Sequence, residues 1–131
     1  MIKLIIFDLD GVLVDARELH YNALNDALFL IDEKYVINRD EHLSTYDGLS
    51  TTKKLNLLTK NKGLPKSLHN QVWKTKQQMT LKLIDEFSVD ERIRDILKKL
   101  KSENYTIACA TNSIRETAKL QLIRKGFFEY I

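Results

Sequence analysis

Apolar positions along the chain fall into two patterns. Residues 2–9 form a short, nearly continuous apolar run, with Leu4, Ile5, Ile6 and Phe7 in succession and Asp8, Asp10 and Gly11 closing it. Such a run predicts a strand buried on both faces, as in a parallel sheet. A second run, YTIACA at 105–110, lies between Asn104 and Thr111-Asn112-Ser113 and predicts a second strand. Elsewhere the period is helical. Over 16–31, Leu19, Ala23, Ala27 and Leu30 mark one apolar helix face. Ser50 or Thr51 is placed to cap a helix carrying Leu55 and Leu58 that stops near Gly63. Pro65 suits the first turn of a long helix reaching about Phe87, with Leu68, Val72, Met79 and Leu83 along one side. Asp90 or Glu91 opens a helix through Ile93, Ile96, Leu97 and Leu100. Ser113 is expected to cap a last one that ends at Gly126.

The order is strand, helical block, helix, strand, helix. Parallel strands joined by right-handed crossovers are the usual outcome of this order. The chain between the strands is much longer than one crossover requires. The reading is therefore an α/β fold, a partial Rossmann-like parallel-sheet core from residues 1–15 and 87–131, with an all-helical cap inserted at 16–86. Composition narrows the class without naming a chemistry. Twenty-one Lys and Arg against 18 Asp and Glu leave a net charge of +3 over 131 residues. An excess this small and dispersed predicts no nucleic-acid partner, and no stretch approaches the roughly 20 apolar residues of a membrane span, so no membrane partner is expected either. The single Cys109 has no internal disulfide partner. That fits a reducing, cytoplasmic setting.

The informative stretch is Phe7-Asp8-Leu9-Asp10-Gly11-Val12-Leu13-Val14-Asp15. Ligands of open parallel sheets sit outside the carboxyl ends of the strands, where Asp8 and Asp10 fall on the same side of an alternating backbone. Neighbouring carboxylates repel unless a cation joins them, and oxygen donors suit Mg²⁺. One carboxylate can then attack phosphorus while the other moves the proton. By itself an Asp-x-Asp turn serves equally well to end a strand and start a helix. The whole string, however, resembles the first signature of the haloacid dehalogenase superfamily, in particular its phosphatases and phosphomutases with a helical cap. That resemblance implies a nucleophile at Asp8 and a general acid/base at Asp10. It also implies Mg²⁺ held by Asp8 and Asp10, the latter through its backbone carbonyl.

Thr111-Asn112-Ser113 looks like the second signature of that superfamily, a hydrophobic strand ending in Thr or Ser. It implies phosphate binding by Thr111, with Asn112 beside it. A hydroxyl ahead of a helix N-terminus is also electrostatically suited to a phosphate. The insert is similar to the cap of the β-phosphoglucomutase and phosphoglycolate-phosphatase branch. The resemblance puts His20 near the cap hinge and Gly48, Ser50 and Thr51 in a loop over the substrate. Tyr21, Tyr46 and Trp73 are read as packing residues, and the Lys53-Lys54 and Lys98-Lys99 pairs as solvated helix faces.

Together these features imply a Mg²⁺-dependent phosphatase-type hydrolase acting on a small phosphorylated metabolite through an aspartyl-phosphate. A phosphomutase of the β-phosphoglucomutase type is the close alternative, and a non-catalytic assembly module that dimerises through an exposed sheet edge is the distant one. Two further signatures of the superfamily, a Lys and an acidic pair, find no counterpart in these residues. The chain is accordingly expected to be a truncated form with impaired turnover.

Overall fold

The apolar runs at 2–9 and 105–110 become β1 (Leu4–Asp8) and β2 (Thr106–Ala110), paired in parallel from Leu4 opposite Thr106 to Asp8 opposite Ala110. The computed structural model describes residues 1–131. Between the strands run α1 (Arg17–Ile31), a single turn α2 (Arg39–Glu41), α3 (Thr51–Lys62), α4 (His69–Ile84) and α5 (Glu91–Ser102), and α6 (Arg115–Lys125) follows β2. The fold is α/β, with a two-stranded parallel sheet and a helical block inserted between its strands. It divides into two compact units, residues 1–17 with 81–131 and residues 18–80.

The 18–80 unit closes on its own core. Leu24, Ala27 and Leu28 of α1 pack with Tyr35, Ile37, Tyr46, Leu55, Leu58, Leu64 and Val72 in one buried cluster. The inward stripe of α1 thus runs through Leu24 and Leu28, and Leu30, expected on it, is exposed. Between α1 and α3 the chain is irregular, with a 3₁₀ turn at Glu33–Tyr35 and a wide π turn at His42–Tyr46. The Asn25 side chain anchors this segment, accepting from Ile37 N at 2.8 Å and donating to Ile37 O at 2.9 Å. Ser50 caps α3 by accepting from Lys53 N, and Gly63 ends it at φ 72°, a left-handed conformation without Cβ cost. Pro65 does not lie within the next helix. It precedes a 3₁₀ turn at Lys66–Leu68, and α4 starts only at His69.

The other unit buries Leu9, Ile84, Leu97, Ile107, Leu122 and Phe127. Asp90 caps α5 by accepting from Ile93 N. After α6 the chain turns at Gly126, where a Cβ would stand 2.9 Å from Val89 Cγ1. The expectation of a strand buried on both faces fails at β1. Ile5 and Phe7 are half-buried on one face, whereas Leu4 and Ile6 on the other are 50% and 60% exposed. Burial of both faces requires helices packed on each side of a parallel sheet, and the face bearing Leu4 and Ile6 has no such cover.

Candidate active site

Asp8 is the last residue of β1, and its Oδ1 accepts from the Leu9 amide at 2.7 Å. That bond engages one oxygen of a carboxylate that is otherwise exposed. The loop beyond is tied to one atom. Leu9 O accepts from Leu13 N and Val14 N at 3.0 Å each and from Val12 N at 3.3 Å, while Gly11 N donates to Val14 O at 2.8 Å. Gly11 takes φ 80°, which lets the chain reverse immediately after Asp10. Leu9 itself is fully buried between two exposed aspartates, so a hydrophobic anchor holds both carboxylates at the surface. Asp15 lies past this loop, held below its ordinary value by hydrogen bonds and charge from Arg17.

At the end of β2 the chain bends through Thr111, Asn112 and Ser113 before α6. The Ser113 amide donates to Thr111 Oγ1 at 3.1 Å, and the Ser113 hydroxyl donates to Asp10 Oδ2 at 3.2 Å. Two strand-end motifs a hundred residues apart in sequence are therefore joined through Ser113. Asn112 lies exposed on the bend. Ser113 is not the cap of α6. The capping position falls to Ile114, which provides no side-chain acceptor. Cys109 lies in the same neighbourhood, and burial, then the Asp8 and Asp10 charges, push its thiol above the ordinary value, so it stays protonated at neutral pH.

The remaining candidates belong to the 18–80 unit. Gly48 (φ 78°), Ser50 and Thr51 share the turn into α3. His20 lies apart from them on α1, its Nδ1 3.4 Å from Lys76 Nζ. Lys54, read from sequence as solvated, is only 6% exposed, and burial lowers its ammonium below the ordinary value against a smaller opposing effect of Asp47. Its neighbour in charge is His42, also buried, 3.7 Å from the Asp47 carboxylate and 4.7 Å from the Tyr21 ring centroid. Burial is the main cause holding His42 below its ordinary value. Position along α3 was the signal available for Lys54, which stands one turn before the buried Leu58.

No group of three or more His, Cys, Asp or Glu side chains stands ready to enclose a metal. Asp8 and Asp10 are nevertheless exposed hard-oxygen donors at one loop, and Mg²⁺ commonly binds through one or two carboxylates while keeping several waters. The donors present fit that ion. No helix is long and apolar enough to cross a membrane.

A family model described as haloacid dehalogenase-like hydrolase matches residues 5–131. Among solved structures, the fold is similar to a mutant of CbbY from Rhodobacter sphaeroides in complex with xylulose-(1,5)bisphosphate, with TM-score 0.78 and 19% identity over 95% of this chain. It is also similar to a β-phosphoglucomutase from Clostridium difficile (TM-score 0.77, 24% identity, the whole of this chain). A third likeness is to a family IA, variant 3 hydrolase from Entamoeba histolytica (0.76, 16%, again the whole chain). The chain spans 57%, 60% and 58% of those three proteins, less than two thirds of each. A comparison with curated proteins finds no match.

Proposed function

This chain belongs to the haloacid dehalogenase-like hydrolases, and on that footing we propose that it carries the phosphoryl-transfer half-site of a Mg²⁺-dependent phosphatase for a small phosphorylated metabolite. The observation that carries the reading is the Asp10–Ser113–Thr111 linkage, which joins the Asp10 carboxylate to a phosphate-suited hydroxyl. Asp8 Oδ2 attacks phosphorus and the P–O bond to the leaving alcohol breaks. Asp10 delivers the proton to that alcohol oxygen. Water then attacks the aspartyl-phosphate and gives its proton to Asp10, and inorganic phosphate leaves with Asp8 restored. Thr111 accepts from the Ser113 amide, so its own hydroxyl proton is directed away to donate to a phosphoryl oxygen. Mg²⁺, when bound at Asp8 and Asp10, supplies positive charge that offsets the phosphoryl oxygens.

The test is covalent trapping. The chain is incubated with acetyl phosphate and Mg²⁺, reduced with borohydride, and searched by mass spectrometry for homoserine at position 8. Labelling that requires Mg²⁺ and disappears in Asp8→Asn supports the reading. A wild-type chain that is never labelled overturns it.

A second reading is favoured by one observation, the outer edge of β1, which pairs on its other side with β2 in a sheet of two strands. On this reading the chain assembles through its sheet edge. Sedimentation equilibrium that returns a monomer at micromolar concentration removes it.

A further inference from the structure

Charge is spread unevenly along the chain. Seven of the 21 Lys and Arg, and none of the 18 Asp and Glu, fall within residues 48–80, which leaves 14 against 18 elsewhere. The sum of +3 predicts no nucleic-acid partner, but its distribution makes α3 and α4 a block without one acidic side chain. Lys54 and Lys76 of that block are buried, and Lys62 is held by Glu41 at 2.8 Å. Lys53, Lys60, Lys66 and Lys74 are exposed and form no ion pair.

Their placement is regular. On α3, Lys53, Asn56 and Lys60 are exposed at spacings of three and four and share one helix face. On α4, Asn70, Trp73, Lys74 and Gln78 do the same, with Lys66 in the turn just ahead. Leu55, Leu58 and Val72 lie on the opposite faces, in the buried cluster. A contact of 2.6 Å between Thr59 Oγ1 and His69 Nε2 ties the end of α3 to the start of α4, so Lys60 and Lys66 flank one turn. Trp73, read from the sequence as a packing residue, is 37% exposed beside Lys74. We propose that the outer faces of α3 and α4 bind single-stranded nucleic acid, with the four exposed lysines on phosphates and the Trp73 indole stacked on a base.

The side chains decide which polyanion fits. Unpaired lysines attract any phosphate backbone and displace its condensed cations. A bare indole among them offers a stacking surface to a base, which a single strand can present and a duplex keeps inside its own stack. Asn56, Asn70 and Gln78 add amides able to donate and accept at base edges. An anionic membrane calls for a broad apolar face below the lysines, whereas Trp73 is the one exposed large apolar residue of α3 and α4. An acidic protein is a poorer match, because lysine is depleted in protein interfaces.

The proposal goes beyond the phosphatase reading and is tested apart from it. A fluorescein-labelled oligouridylate of about 12 nucleotides is titrated with the 131-residue chain, and its anisotropy is followed. Between about 50 and about 200 mM salt, log affinity should fall against log salt with a slope of about −3, the value for four phosphates of a single strand. Lys66→Gln combined with Lys74→Gln should about halve that slope. Trp73→Ala should weaken the oligonucleotide about 5- to 150-fold, yet change binding to heparin, a polyanion without bases, by less than about twofold. Should Trp73→Ala unfold, quenching of wild-type Trp73 emission by the oligonucleotide serves as the stacking readout. Absence of binding at about 50 mM salt, a slope that ignores the two lysines, or equal loss of heparin and oligonucleotide in Trp73→Ala overturns the proposal. Tighter binding to phosphatidylglycerol vesicles or to polyglutamate at the same salt also overturns it, and assigns these faces to a membrane or an acidic protein instead.

Discussion

The two units solve the burial problem differently. In the 18–80 unit, ten side chains from several helices and turns converge on one cluster, and even two lysines and a histidine are drawn inside. In the sheet unit, half of β1 meets solvent, and Gln121 is wholly buried with neither amide atom hydrogen-bonded. The helical unit has closed its core at some electrostatic cost. The sheet unit has kept its carboxylates accessible and left apolar and amide groups without partners. Core closure and the exposed carboxylates thus fall in separate units of one chain.

That contrast can be attacked from both sides. The largest effect is expected for Leu58→Ala, which empties a fully buried position in the 18–80 cluster. A loss of about 2–5 kcal/mol should appear in denaturant titrations followed through Trp73, the only tryptophan. Next comes Lys54→Met, which removes a buried ammonium and should stabilise the chain by about 1 kcal/mol. A pH series sharpens this result. Because Lys54 has a folded value below 10.5, the unfolded state binds more protons in the window between them, so wild-type stability rises as pH climbs through that window. Lys54→Met should lack this rise. His42 has a folded value below 6.5, so both proteins should lose stability as pH falls through 6.5. A flat wild-type profile would mean that neither group is buried in solution. The smallest effect belongs to Ile6→Thr on the bare sheet face, expected within about 0.5 kcal/mol. A loss several times larger would show that this face is covered after all.

Local chemistry makes much of the fold legible in the sequence. Ser50 and Asp90 announce helix starts, and Gly63 and Gly126 announce stops, because each acts on amides or dihedrals within a few residues of itself. The strands were legible for a similar reason, as short apolar runs closed by polar turns. What stayed hidden depends on distant partners. The 32–46 segment has no steady period because its shape is set by Asn25 and Tyr21 bonding to the Ile37 backbone. Lys54 reads as solvated until its helix is placed against a core. Ser113 reads as a cap because the carboxylate that accepts from its hydroxyl is 103 positions away in sequence. In the candidate site, the placement of Asp8, Asp10 and Thr111 at strand ends was therefore readable, but the bonds of Ser113 to Asp10 and Thr111 were not.

The carbonyl of Leu9 gathers three amides from the next five residues. A knot tied to one oxygen admits substitution of most side chains around it, but not a change in the number of residues between Leu9 and Val14. Loop length becomes a fixed ruler. Across descendants of this chain, insertions and deletions should accumulate in the helical segment and be purged here, even where the amino acids themselves drift.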